Sequence, residues 1–322
     1  MQIVFARIVC SPESGKGYPV PVPPAAISSY WHNTFVRIRW SSSLEEKVAL
    51  DKGAAFRALH EEPGVFVIPN PWDTGTARIL AAMGFKALAT TSAGMAFSLG
   101  VPDGHVSRDV ILDHCRTIVA ATSLPVSADL ERGFGDSPES AAETIRVAAG
   151  IGLAGGSLED HTGRTDDPIY DPALAIERIE AAAQACRSLG KDFVLTARCE
   201  NFLWGRPDLD DTIRRLLAYE KAGADVLYAP GLPDLDTIRT VCNSVTKPLN
   251  VVMGMPGATF GVAELADAGV KRISIGSALA RLAFGAFVEA AREMKEEGTF
   301  GFSKKAIGFA ELEKFFTGSP AS

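Results

Sequence analysis

Eight apolar runs of strand length, each followed by an amphipathic segment of helical length, set the fold this chain can reach. The runs cover residues 65–70, 87–91, 125–130, 155–160, 193–199, 225–231, 248–253 and 272–277. The helical segments cover 73–83, 107–122, 138–150, 172–188, 209–222, 234–244, 259–268 and 278–296. Strands that each lead into a helix point to parallel βαβ units. Their near-continuous apolar character points to a sheet covered on both faces. Several helical segments stop at a glycine before the next strand: Gly84, Gly190, Gly223 and Gly269. Eight such units over about 230 residues match the size of a (β/α)8 TIM barrel. An open doubly wound sheet ranks second. It would carry fewer strands and a Gly-rich phosphate turn, and no GxGxxG follows the first strand.

The ends of the chain differ from the repeating part. Residues 1–43 hold Pro19, Pro21, Pro23, Pro24 and a Ser cluster at 41–43, without a sustained period. They read as a disordered extension. A secretory signal fits poorly, because no apolar core follows a basic start; a cleaved transit peptide is the alternative. The barrel is expected over 44–298, opening with helical spacing over 44–59. Residues 299–322 read as a C-terminal helix carrying Ile307, Phe309, Leu312, Phe315 and Phe316. So many apolar side chains on a terminal helix imply docking on its own barrel or on a neighbouring subunit.

Composition excludes several classes. Basic residues are thinly spread and the net charge is -7, so no nucleic-acid partner is expected. No apolar stretch of about 18 residues exists, so no membrane span is expected. The five cysteines (Cys10, Cys115, Cys186, Cys199 and Cys242) are scattered and form no CxxC. That suits a reducing, cytoplasmic setting.

In such a barrel the C-terminal strand ends carry the chemistry. The third strand end supplies Asp129 and Glu131, the fourth Glu159, Asp160 and His161, and the fifth Arg198, Glu200 and Asn201. The second leads through Thr91, Ser92 and Ala93 to Asp103; the sixth, seventh and eighth end near Tyr228, Asn250 and Ser274. All the metal-ligand candidates are oxygens, which suits Mg2+ or Mn2+. Zinc is disfavoured, since no His or Cys cluster has ligand spacing. A hard cation beside Arg198 can hold a small 2-oxo acid or its enolate, with the arginine on a carboxylate. Charge developing on the oxo oxygen is then stabilised where it forms. The same strand-end carboxylates also fit salt bridges or helix caps. His161 fits either a mobile acid/base or an exposed loop residue.

These residues carry a family resemblance. Asp129-Leu130-Glu131-Arg132-Gly133-Phe134-Gly135 resembles the D-x-[DE]-x-G-[YF]-G signature of the isocitrate lyase and phosphoenolpyruvate mutase superfamily. Leu158-Glu159-Asp160 resembles its LED element, and Ala197-Arg198-Cys199-Glu200-Asn201-Phe202 its AR-x-E-A-F element. The stretch from Thr91 to Asp103 resembles its substrate loop ending in G-x-x-D. The resemblance implies Mg2+, 2-oxo acid chemistry and a homotetramer that swaps its C-terminal helix. It implies Asp129 as direct metal ligand, with Glu131 and Glu159 holding metal-bound waters. It also implies Arg198 on the substrate carboxylate, and Thr91, Ser92 and Ala93 on the oxo acid. Asn250 joins them as a substrate-binding candidate, with Asp103, Arg198 and His161 as the catalytic set.

Two departures narrow the activity. The isocitrate and methylisocitrate lyases of that superfamily carry a K-[KR]-C-G-H loop, whereas residues 161–170 here contain no cysteine. The phosphonate-forming mutases carry EDK-x-x-x-K-x-N; here His161 stands for the first lysine and no Asn precedes Asp171. The expectation is a Mg-dependent carbon–carbon lyase for a small 2-oxo or 2-hydroxy di- or tricarboxylic acid, similar to the oxaloacetate decarboxylases. Phosphonomutase or phosphonopyruvate hydrolase chemistry is the enzymatic alternative, and a non-catalytic oxo-acid-binding barrel the second.

Overall fold

The computed structural model describes residues 51–257 and 259–317. The extension over 1–43 and the start of the helical spacing at 44 fall outside the described residues. Strands form at all eight apolar runs: β1 (Phe66–Ile68), β2 (Leu88–Ala89), β3 (Val126–Asp129), β4 (Gly155–Glu159), β5 (Val194–Arg198), β6 (Val226–Tyr228), β7 (Leu249–Val252) and β8 (Arg272–Ser274). Around them run α1 (Lys52–Glu61), α2 (Thr74–Ala82), α3 (Ser92–Ser98), α4 (Arg108–Ala121), α5 (Pro138–Gly150), α6 (Pro172–Arg187) and α7 (Leu209–Ala222). Then follow α8 (Leu235–Ser244), α9 (Val262–Asp267), α10 (Ala278–Arg292) and α11 (Phe309–Lys314). Strands pair in parallel from β2 round to β8, and β8 pairs with β1. Across the β1–β2 seam the Ala89 N–H donates to the Pro69 carbonyl at 3.1 Å. This is the expected (β/α)8 barrel.

The two faces of each strand divide the core. Leu195, Ala197 and Leu227 point outward and pack with Ile111, Ile145, Leu216 and Tyr219 of the helices. Alternation turns Val194 and Val226 inward, where they meet Phe66, Ile68 and Phe56. Phe56 comes from α1, which starts at Asp51; that side chain accepts from the Gly53 and Ala54 N–H groups. Phe56 is buried and plugs the N-terminal end of the barrel, a burial worth about 2–3 kcal/mol. A Cβ on Gly155 would lie 2.6 Å from the Val194 carbonyl oxygen and 2.9 Å from Phe56 Cε1, so glycine is what admits the plug. With the floor closed, the open C-terminal end is left for chemistry.

Two segments differ from the sequence expectation. Ser92–Ser98 forms the short helix α3 within the stretch whose resemblance is to a substrate loop; Thr91 Oγ1 caps it by accepting from the Gly94 N–H at 3.2 Å. The tail, expected as one helix within 299–322, is broken. Gly298 sits at φ 66° after α10, a 3-10 turn covers Gly301–Lys305, and α11 begins only after Gly308. Three glycines in this stretch each weaken helix continuation by about 1 kcal/mol relative to alanine. No helix among the described residues is long and apolar enough to cross a membrane.

Candidate active site

The ends of β3, β4 and β5 converge on one guanidinium. Arg198 Nε donates to Glu200 Oε1 at 2.8 Å, Nη1 to Asp129 Oδ1 at 3.0 Å, and Nη2 pairs with Glu159 Oε2 at 3.1 Å. Its Cζ lies 5.0 Å from the Tyr228 ring centroid. Strand register explains the meeting: Glu159 is level with Arg198, and Arg198 with Tyr228, so the three side chains leave the same face. Burial acts to lower the Arg198 pKa, but Glu200, Glu159 and Asp129 outweigh it and hold the group charged. The substrate-binding arginine expected from the sequence is thus occupied by the protein's own carboxylates.

After β3 the chain makes a strained turn. Glu131 and Phe134 have φ of 48° and 58°, left-handed values that are costly for residues with a Cβ. Arg178 holds this turn, donating to the carbonyls of Arg132, Gly135, Asp136 and Ser137. Gly133 sits at φ 77° inside it, a left-handed value that favours glycine, and a Cβ there would crowd Leu158 at 3.2 Å and Ala141 at 3.3 Å. Just before the turn, Asp129 Oδ2 accepts from the Ser92 N–H at 3.3 Å and from its Oγ at 2.8 Å.

On β4 alternation separates two adjacent acids. Glu159 faces the barrel interior, while Asp160 faces outward into a buried network. Asp160 accepts from Glu200 N at 2.8 Å, Tyr219 OH at 2.6 Å and Arg215 Nη1 at 3.2 Å. Glu200 is therefore positioned from behind by Asp160. His161 comes next and stacks on Trp204, with centroids 3.8 Å apart and 9° between planes. Its Nδ1 lies 3.8 Å from Glu159 Oε1, and its Nε2 is buried without a partner. Burial, then the charges of Arg132 and Arg198, push His161 down to about 4, so the ring is neutral at pH 7.

The candidate metal, catalytic and substrate-binding residues line one cavity of about 630 Å3, a size that holds a small metabolite, whereas Asp160 and Asn201 point away from it into buried hydrogen bonds with α7. Asp103 sits at its exposed rim with Ala93 and Ser92 beside it. Thr91 is buried and spends its hydroxyl on capping α3. Asn250 is buried deep, its Nδ2 donating to Ser274 Oγ at 3.0 Å and its Oδ1 accepting from Arg272 Nε at 2.8 Å. Sequence reasoning missed Trp204 and Arg272, which line the same cavity. Trp204 lies on a loop without period, and Arg272 stood as a lone charge opening an apolar run. Cys199 points away from the cavity into the helix–strand core, as alternation from Arg198 requires.

The acidic wall suits a hard cation. Glu131 Oε1 and Glu200 Oε2 are buried oxygens without hydrogen-bond partners. Burial, then Asp129 and Asp103, push Glu131 up to about 7, a mark of carboxylates crowded without a counter-charge. Among the described residues no three acids, histidines or cysteines form a ready-made cage. Mg2+ commonly binds through one or two carboxylates and keeps several waters. The oxygen-only set around Asp129 fits that habit.

The family model described as phosphoenolpyruvate phosphomutase matches residues 56–295, from α1 to the turn after α10. The chain belongs to this family. It is an enzyme of the isocitrate lyase and phosphoenolpyruvate mutase superfamily. The 2-methylisocitrate lyase of Escherichia coli strain K12 is 31% identical over 228 residues, 68% of this chain and 76% of that protein. A solved structure from Burkholderia cenocepacia J2315, described provisionally as a lyase/mutase, is 57% identical with a TM-score of 0.82, covering 85% of this chain and 99% of that one. The structure of a 2,3-dimethylmalate lyase is 28% identical with a TM-score of 0.75, covering 83% and 95%. The family match spans the four motifs read from the sequence.

Proposed function

We propose that this enzyme is a Mg-dependent carbon–carbon lyase for a small 2-oxo or 2-hydroxy di- or tricarboxylic acid, with oxaloacetate decarboxylation as the nearest model reaction. The observation that carries the reading is the convergence of Asp129, Glu159 and Glu200 on Arg198 at the open end of the barrel. Asp129 is assigned as the direct metal ligand, and Glu131 and Glu159 as holders of metal-bound water. The cation would polarise the 2-oxo and carboxylate oxygens of a chelating acid.

The chain's own groups supply the rest. Ser92 presents an N–H and a hydroxyl beside Asp129, where the 2-oxo oxygen would gather charge. Arg198 adds a fixed positive charge on the same side. In decarboxylation the C3–C4 bond breaks, CO2 leaves, the electron pair passes to the 2-oxo oxygen and a proton adds at C3. His161 and Trp204 form the wall that would face the C3 substituent, with Asp103 at the rim. The absence of a cysteine in 161–170 supports a substrate other than isocitrate or methylisocitrate.

The test is pyruvate release with Mg2+ across oxaloacetate, methylated malates and phosphonopyruvate. Pyruvate from one carbon acid, above the protein-free rate, supports the lyase. Phosphate or phosphonate rearrangement products would favour the phosphonopyruvate alternative. Oxalate-dependent thermal stabilisation without turnover on any of them would favour a binding barrel.

A homotetramer completed by exchange of C-terminal segments is the assembly we propose. Leu282 and Phe287 on α10 are 70% and 69% exposed, and Phe309 on α11 is 90% exposed. Apolar surface of that extent on two C-terminal segments marks an interface. Light scattering on the full chain should give a tetramer, and Phe287→Asp should lower its mass; a wild-type monomer would refute the assembly.

A further inference from the structure

Arg272 opens β8 and belongs to the row that holds Arg198. Tyr228 is level with Asn250, and Asn250 with Arg272, so Glu159, Arg198, Tyr228, Asn250 and Arg272 leave one face of neighbouring strands. Arg198 ends β5 whereas Arg272 opens β8, three strand spacings round the barrel, so the two arginines stand on different walls with Arg272 nearer the floor. Arg272 is 5% exposed and is one of the residues lining the cavity.

Its partners are unusual for a buried cation. Nε donates to Asn250 Oδ1 at 2.8 Å, Nη2 to Thr196 Oγ1 at 3.0 Å, and Nη1 meets His60 Nε2 at 3.2 Å. His60 Nδ1 lies 2.8 Å from the Phe56 carbonyl, which can only accept, so Nδ1 carries the proton and Nε2 accepts from Arg272. All three partners are neutral. The other buried arginines are compensated: Arg198 by three carboxylates, Arg215 by Asp160 and Asp211, and Arg178 by main-chain carbonyls outside the cavity. A guanidinium has five N–H donors, and three are used here. A buried positive charge facing a ligand cavity, without an anion of its own, is a charge left for the ligand to neutralise.

We propose that Arg272 is a specificity-determining residue that binds a second anionic group of the substrate, at the inner end of the cavity and on a different wall from the metal-chelating carboxylates. The substrate class is then a dicarboxylate rather than a monocarboxylate 2-oxo or 2-hydroxy acid. Asn250, Thr196 and His60 act as positioning residues that hold the guanidinium without neutralising it. This rests on the lyase reading above, because that reading fixes which end of the substrate the acidic wall receives.

Titration calorimetry on the full-length, Mg2+-saturated protein separates the two. Oxalate probes the chelating end alone; 3,3-difluoropyruvate and 3,3-difluorooxaloacetate differ by the second carboxylate. Wild type should bind the difluoro dicarboxylate about 10- to 100-fold more tightly than 3,3-difluoropyruvate, the range of a charge-assisted pair. Arg272→Gln should erase that preference while oxalate affinity stays within about twofold, and Arg272→Lys should restore part of it. Equal loss of oxalate and dicarboxylate binding in Arg272→Gln would reduce the residue to a structural role and overturn the proposal. If the variants do not fold, wild type alone decides: no preference for the dicarboxylate overturns it. Failure of wild type to bind oxalate at all would instead sink the lyase reading, and this inference with it.

Discussion

Asp129 and Arg198 meet through a 3.0 Å ion pair at the mouth of the barrel, joining β3 to β5 across the intervening β4. The pair ties the candidate metal ligand to the one cation that also holds Glu159 and Glu200. Removing Arg198 leaves three acids without their cation, whereas removing Asp129 leaves Arg198 paired with Glu159 and Glu200.

Arg198→Ala should therefore do more than remove a contact. It leaves Asp129, Glu159 and Glu200 facing one another, which costs about 3–5 kcal/mol when a buried pair is broken. We expect kcat/KM for the carbon acid to fall by at least about 10^3-fold. Denaturant unfolding and steady-state kinetics check the two effects; an active variant of unchanged stability would refute the arrangement.

Stability should depend on pH through His60. Burial, then the Arg272 charge, push this histidine down to about 3 from an ordinary 6.5. The folded protein keeps it neutral while the unfolded chain protonates it below about pH 6.5. Its contribution is thus fully present above that pH and declines as the pH falls toward 3, by about 1.4 kcal/mol per unit. Unfolding free energies at pH 7.5 and 5 should diverge less in His60→Gln than in wild type. Identical slopes would mean that His60 is not held neutral.

Phe56→Ala removes the plug beneath the barrel. A buried phenylalanine truncated to alanine costs about 3–5 kcal/mol. Chemical denaturation should show this loss with little change in KM, since the plug lies at the end opposite the site. A cost under about 1 kcal/mol would show that α1 does not close the floor.

Trp204→Leu breaks the stack that orients His161. Such aromatic pairs contribute about 0.5–1.5 kcal/mol, so we expect kcat/KM to drop about tenfold through misplacement of the imidazole. Oxalate affinity should not move. A parallel loss of oxalate binding would place Trp204 nearer the chelating end than the stack suggests.

How much of this could be read beforehand follows from the kind of signal each part leaves. The strands were legible because two-sided burial leaves unbroken apolar runs. The acidic wall was legible because Asp129, Glu131 and Glu159 stand immediately at strand ends. By contrast, α3 is seven residues long and starts directly from a strand end, too short to show a period. The stack of His161 on Trp204 joins two loops that no local pattern connects. Arg272 looked like any charge at the edge of a strand until register set it level with Asn250 and α1 brought His60 against it. The broken tail failed as a helix because its glycines outweigh its apolar spacing.

The central claim is that a cation-dependent lyase site is built around Asp129. Its most direct test is pyruvate formation from oxaloacetate in Mg2+, corrected for the protein-free rate, in wild type, in Asp129→Ala, and in wild type with excess chelator. We predict saturable turnover in wild type and none above background in the other two. Turnover that survives both the Asp129→Ala change and the chelator would contradict the account.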